Sequence, residues 1–60
     1  MHSGLPKDPV MLLSVINTKL RDYYKSFDLL CEEEDLSKFD IIKTLESIDY
    51  EYDAGRNQFV

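Results

Sequence analysis

The spacing of apolar residues in the first half of the chain predicts an amphipathic helix over residues 8–24. Asp8 can cap its start, and Pro9 suits the first helical position because proline lacks the N–H group that a first turn leaves unbonded. Apolar residues then recur at steps of one, three and four, which places them on one face: Leu12, Leu13, Ile16, Leu20, Tyr23 and Tyr24. Met11 and Val15 lie off this stripe, on the otherwise polar side.

Two shorter helices are predicted to follow, over residues 27–34 and 38–48. Ser26 and Ser37 are suitable caps because a serine hydroxyl can accept a hydrogen bond from an N–H group of the first turn. We expect the apolar side chains of this region to face the core: Phe27, Leu30, Cys31, Leu36, Ile41, Ile42, Leu45 and Ile48.

After the third helix the apolar period changes from that of a helix to that of a strand. Tyrosines and acids alternate near residues 49–52, and the segment 53–57 is rich in turn-forming residues, with Gly55 free to adopt positive φ. Residues 58–60 can return as a second strand with Phe59 in the core. The sequence therefore predicts a short antiparallel hairpin packed on the third helix.

The second and third helices are spaced like those of a helix-turn-helix, and the hairpin resembles a reduced wing. Cys31 stands where a small residue lets two helices cross closely. Asp35 replaces the usual left-handed glycine, a conformation that aspartate tolerates, and Glu34 occupies an often apolar position. We predict a mainly α, three-helix helix-turn-helix-like domain over residues 6–60 with a small C-terminal β-hairpin, after a disordered tail at residues 1–5.

The charge balance argues against a nucleic acid as the partner of such a domain. Twelve acidic and seven basic residues give a net charge of -5, which repels a phosphate backbone. The acid run at residues 32–35 directly precedes the third helix, where two lysines are balanced by two acids. A DNA-binding regulator is therefore the disfavoured alternative.

Few residues in the chain could support catalysis or hold a metal. The one histidine, His2, lies in the predicted tail, and the one cysteine, Cys31, is predicted to be buried without a neighbour that would activate it. Consecutive acids on a helix point in different directions, so the run at 32–35 is a poor cation site. We expect no enzyme activity and no cofactor.

The location predicted from the sequence is the cytoplasm. An unpaired cysteine fits a reducing compartment, and the apolar segment at residues 10–16 is too short to cross a membrane. We therefore expect no contact with a membrane.

A protein partner, or a second copy of the chain, fits the remaining features best. Met11 and Val15 could pair with the same residues of a second copy around a two-fold axis. The edge of the second strand at Phe59 could instead extend the sheet across an interface. Asn17 borders the apolar stripe and could bind backbone groups of a partner, or those of a neighbouring loop within the chain, which is the interpretation that we prefer.

Four segments of the chain carry a resemblance to a known family: residues 8–14, 17–22, 47–53 and 57–59. They are similar to segments of a family of short bacterial proteins, domain of unknown function 4250, and the similarity covers nearly the whole chain from Leu5 onward. The resemblance implies no activity and transfers no site residue. The sequence thus favours a small cytoplasmic module, structural or for protein interaction, that self-associates or binds another protein.

Overall fold

In a computed structural model, which describes residues 5–60, three helices precede a two-stranded antiparallel sheet. The helices are α1 (Pro9–Asp22), α2 (Phe27–Glu33) and α3 (Lys38–Glu46), and the strands are β1 (Tyr52–Asp53) and β2 (Gln58–Phe59). The mainly α fold with a small C-terminal hairpin is confirmed. Residues 1–4 of the predicted tail lie outside the described residues, whereas Leu5 packs against the core.

Each helix begins directly after the residue predicted to cap it. The side-chain oxygens of Asp8, Ser26 and Ser37 accept a hydrogen bond from the backbone nitrogen three positions later, at 3.0, 3.1 and 3.3 Å respectively. These bonds satisfy N–H groups that a first helical turn would otherwise leave unpaired.

Both shorter helices are followed, within three residues, by an aspartate in the left-handed conformation. Asp35 follows α2 with φ 55° and Asp49 follows α3 with φ 65°. The residue after each aspartate donates its N–H to a carbonyl oxygen five positions earlier, at 2.9 Å after α2 and 3.0 Å after α3. This is the Schellman arrangement, in which the chain reverses while the last helical carbonyls stay bonded. The left-handed turn predicted at Asp35 is therefore present.

The first helix is shorter than the predicted range of 8–24, which moves one residue out of the core. The backbone of Tyr23 leaves the helical path with φ -126°. Its side chain is 75% exposed, so the prediction that Tyr23 is buried is wrong. Tyr24, one position further, is half-buried and packs against the core.

The core lies where the three helices meet the hairpin. Its buried members are Leu12, Ile16, Leu20, Phe27, Leu30, Cys31, Ile41, Leu45 and Phe59. The rings of Phe27 and Phe59 meet edge to face with centroids 5.0 Å apart, and the ring of Tyr52 lies 5.5 Å from both. Other residues predicted to be buried are only half-buried at the margin of this core: Leu13, Leu36, Ile42 and Ile48.

The hairpin pairs Tyr52 with Phe59 and closes through a turn whose left-handed residue is Asn57, with φ 53°. The sequence pointed to Gly55 for that conformation, and this prediction is wrong because φ of Gly55 is not positive. The strands are also shorter than the predicted 49–52 and 58–60, because the chain at Asp49 is still completing the turn after α3.

Candidate functional site

The carboxamide of Asn17 binds the outer edge of β2. Glu51 and Val60 exchange both backbone hydrogen bonds, at 3.0 and 2.8 Å. In an antiparallel ladder, hydrogen-bonded pairs alternate with pairs that are not hydrogen-bonded. The N–H and C=O groups of Phe59, which directly precedes Val60, therefore point away from β1. Asn17 Nδ2 donates to the Phe59 oxygen at 3.1 Å, and Phe59 N donates to Asn17 Oδ1 at 2.8 Å. Asn17 thus has the internal role that we preferred for it.

This contact changes what the sequence suggested for the hairpin edge. The Phe59 side chain is 1% exposed, and both of its backbone polar groups are bonded to Asn17. Extension of the sheet into a second molecule would first have to break these two bonds. The geometry therefore opposes both Asn17 and Phe59 as partner contacts.

A second asparagine, Asn57, joins the hairpin turn to the end of α1. Its Nδ2 donates to the carbonyl oxygens of Leu20 and Tyr24, at 3.0 and 2.9 Å, and its Oδ1 accepts from the Tyr52 hydroxyl at 2.6 Å. The same hydroxyl accepts a hydrogen bond from Phe27 N at 3.2 Å, at the start of α2. The side chains of Asn57 and Tyr52 together therefore join the hairpin to the end of α1 and to the start of α2. Sequence reasoning missed this role, although asparagine in a turn was the signal for it.

The acid run has an internal function at its third position. Glu34 Oε2 accepts hydrogen bonds from the Tyr24 hydroxyl at 2.7 Å and from Lys19 Nζ at 3.1 Å, so it ties the end of α2 to α1. The bond from Tyr24, followed by that from Lys19, lowers the pKa of Glu34, against a partial burial that raises it. The same bond raises the pKa of Tyr24. The acid at an often apolar position is therefore a structural ion-pair partner.

Several apolar side chains remain at the surface. Met11 is 60% exposed, as its position off the apolar stripe predicts, and Val10 beside it is 63% exposed. Val15 is only half-buried, since it lies about 60° around the helix from Leu12, whereas Met11 lies about 100° away. The exposed pair at the start of α1 is therefore Val10 with Met11, rather than Met11 with Val15.

The largest exposed apolar group on α3 is Phe39, which sequence reasoning missed. Its side chain is 67% exposed, and the ammonium group of Lys43 lies 5.5 Å from the ring centroid. The signal was its position two residues before the buried Ile41, which places it on the opposite side of a helix. It lies on the outer face of α3, away from the core.

Most of the basic side chains are paired with acids of the chain itself. The ion pairs are Lys19 with Glu34, Arg21 with Asp22, Lys38 with Asp28, and Arg56 with Asp53. Four of the seven basic residues therefore have an acidic partner nearby, in a chain that carries twelve acids. This leaves an acidic surplus on the surface.

The chemistry offered by the remaining groups is limited. Cys31 is buried, and this burial raises the pKa of its thiol, which disfavours the reactive thiolate. Within residues 5–60 no three side chains of the metal-binding types come together. None of the helices in this range has the length and apolar character needed to cross a membrane.

Comparison with protein families gives a match that covers almost all of the described fold. A family model described as a domain of unknown function, DUF4250, matches residues 6–59. The chain belongs to this family. The match includes both asparagines that hold the hairpin, and it extends from Pro6, before α1, to Phe59 in β2. Comparison with curated proteins gave no significant match, and neither did comparison with solved structures.

Proposed function

We propose that this chain is a small binding module that contacts a protein partner through apolar side chains on the outer faces of α1 and α3. The observation that carries the proposal is the exposure of Phe39. Aromatic side chains bury a large area at little cost in conformational entropy, and they are enriched where binding energy concentrates. A single exposed apolar residue is ordinary, but Val10 and Met11 add a second exposed apolar site on α1.

The charges support a partner with a basic or neutral surface. Asp40 and Glu46 lie on the exposed side of α3 together with Phe39, and the exposed acids Glu32 and Glu33 end α2. Complementary charge steers association and discriminates between partners, because like charges brought together cost free energy. A partner whose contact region carries lysine or arginine around an apolar centre fits this surface best.

The alternative is a DNA-binding regulator, since α2, the turn and α3 are spaced like a helix-turn-helix. Two observations speak against it. Lys38 at the start of α3 is paired with Asp28, and Lys43 lies over the Phe39 ring rather than among further bases. Phosphate neutralisation supplies nearly all non-specific affinity for DNA. We therefore expect no retention on random duplex DNA at physiological salt, and salt-dependent micromolar retention would favour the regulator instead.

We also propose that the module is not an enzyme and that it acts in the cytoplasm of a bacterial cell. The burial of the Cys31 thiol, which raises its pKa, supports the first statement. The unpaired cysteine suits a reducing compartment, and the family resemblance implies a bacterial source.

The proposal is tested by capturing partners from a lysate of the protein's own cells. Wild type, Phe39→Ser and Tyr23→Ser are immobilised at equal density, and bound proteins are quantified by mass spectrometry. Tyr23 is the matched control because it is also an aromatic side chain and is 75% exposed, but it lies at the end of α1. We expect a protein that binds wild type and Tyr23→Ser and is lost with Phe39→Ser. Equal recovery with all three chains would refute the proposal.

A second copy of the chain is the other partner to be tested. Residues Val10 and Met11 could meet the same pair across a two-fold axis. Sedimentation of wild type against Met11→Glu at high concentration decides this question. A dimer that becomes a monomer in the variant supports the α1 contact, whereas a wild-type monomer excludes self-association and leaves a different protein as the partner.

A further inference from the structure

A cleft of about 500 Å³ lies between α1 and the hairpin; it does not include Phe39 and is unrelated to the proposed function. Its lining residues are Ser14, Asn17, Thr18, Leu20, Arg21, Arg56, Asn57 and Gln58. Two of these residues are arginines and none is acidic, although acids outnumber bases by twelve to seven in the whole chain. We call this site the arginine cleft. Its volume is within the range of small-molecule sites.

The sequence spacing explains how α1 lines one side of the arginine cleft. Ser14, Thr18 and Arg21 follow one another at steps of four and three, so they form a stripe along one side of the helix. All three side chains are exposed. They present two hydroxyl groups and a guanidinium group toward the part of the hairpin that carries Arg56 and Gln58.

The two asparagines hold the cleft in shape. Asn17 joins the middle of α1 to Phe59, and Asn57 joins the hairpin turn to carbonyl oxygens near the end of α1. The walls are therefore fixed to each other at two points by hydrogen bonds. A preformed site loses less entropy when it binds a ligand.

Both guanidinium groups keep donors for a ligand. Arg21 gives two of its five N–H groups to Asp22, through Nε and Nη2, each at 2.9 Å. Arg56 Nε lies 3.8 Å from the nearest oxygen of Asp53, which is too far for a hydrogen bond. The two arginine side chains are 73% and 71% exposed, so these surface pairs are weak and a bound anion can compete with them.

We propose that the arginine cleft binds a small anion that carries a phosphate or carboxylate group. Guanidinium groups bind both through paired, charge-assisted hydrogen bonds, and the hydroxyls of Ser14 and Thr18 can donate to remaining oxygens. A small ligand is favoured over a long polyanion, because a polyanion would also meet the acidic surplus outside the cleft.

The test titrates isotope-labelled wild type with inorganic phosphate and, separately, with citrate, at constant ionic strength in chloride. We expect at least one of these probes to give saturable shifts of the backbone amide signals of Arg56 and Gln58. The double variant Arg21→Gln, Arg56→Gln is expected to bind at least about tenfold more weakly, because two charge-assisted contacts are lost. Phosphate alone points to a phosphorylated ligand and citrate alone to a carboxylate ligand.

The matched control is the double variant Lys25→Gln, Lys43→Gln. It also removes two positive charges, but from positions outside the cleft. We expect it to bind the probe like wild type. Three results would overturn the proposal: no saturation with either probe, unchanged affinity in the arginine variant, or an equal loss in the lysine control. All four substituted side chains are exposed, so both variants are expected to keep the wild-type fold.

Discussion

At the scale of single residues, Asn17 takes the place of a third strand. A two-stranded hairpin is marginal alone, and the outward N–H and C=O groups of an edge strand need partners when they are shielded from water. One carboxamide supplies both a donor and an acceptor in the spacing that the Phe59 backbone requires. Both outward backbone groups of Phe59 in β2 therefore depend on this one side chain for their hydrogen bonds.

Replacement of Asn17 by alanine should lower the free energy of unfolding by about 1–2 kcal/mol, because Phe59 loses both hydrogen-bond partners in a partly buried place. Thr18→Ala, one position along on the exposed side of α1, should change it by less than about 0.5 kcal/mol. Urea unfolding followed by circular dichroism measures both. Equal stabilities of the two variants would show that the carboxamide does not hold the hairpin.

The aspartates that end α2 and α3 allow a second test at this scale. The carboxylate of Asp49 is exposed, so a substitution there acts mainly through the backbone, whose φ is 65°. Asp49→Ala should destabilise by about 1 kcal/mol, because alanine resists the left-handed conformation. Asp49→Gly should leave the stability unchanged or raise it by up to about 1 kcal/mol. Thermal unfolding distinguishes the two, and similar melting temperatures would contradict the role assigned to φ.

At the scale of elements, α1 and α2 are joined by a link that depends on pH. The lowered pKa of Glu34 means that the charged form is favoured in the folded chain, so the stability from this group is present above its ordinary pKa of 4.5. It is lost as the pH falls through the lowered folded value. The raised pKa of Tyr24 gives the opposite pH dependence. The contribution of Tyr24 to the folding stability is complete below its ordinary pKa of 10.0, and it is lost as the pH rises through the raised pKa of the folded chain.

The change Glu34→Gln should therefore destabilise the chain most near neutral pH, and the difference from wild type should disappear in acid. Glu33→Gln is the control, because Glu33 is the exposed neighbour in the same acid run. The free energy of unfolding of the three chains is measured as a function of pH. A Glu34→Gln deficit that persists in acid would mean that packing, rather than the charge of Glu34, joins the two helices.

The positions of the helices could be predicted because their signals are local. Asp8, Ser26 and Ser37 each cap a helix within three residues of the group that they bind, so the sequence alone identifies them. The end of α1 could not be predicted in the same way. Tyr23 continues the apolar spacing of the helix, and only the path of the chain toward α2 leaves it exposed.

At the scale of the whole molecule, the contacts that define the candidate sites join residues far apart in the sequence. Asn17 and Phe59 are 42 positions apart, and Asn57 binds carbonyls 37 and 33 positions earlier. A periodic pattern of apolar residues carries no information about such distant pairs. The sequence therefore offered two alternatives for Asn17, but it could not identify Phe59 as the residue that Asn17 binds. The arginine cleft was missed for the same reason, since its two sides come from α1 and the hairpin turn.

The acidic surplus and the exposed apolar residues are the features of the whole molecule on which the proposed partner class rests. Twelve acids against seven bases give a net charge of -5, so the surface as a whole repels a long phosphate backbone. Phe39 on α3 and Val10 with Met11 on α1 offer apolar area instead. Both features support the proposal of a protein partner over a nucleic acid.

This central claim is tested most directly by a residue-resolved titration of the labelled chain. Two fractions of its own cell lysate are added separately: protein freed of nucleic acid, and nucleic acid freed of protein. We predict that the protein fraction broadens or shifts the signals of Phe39, Val10 and Met11, and that the nucleic acid fraction leaves the spectrum unchanged. Shifts centred on Lys38 and Lys43 with the nucleic acid fraction, and none with protein, would contradict the claim.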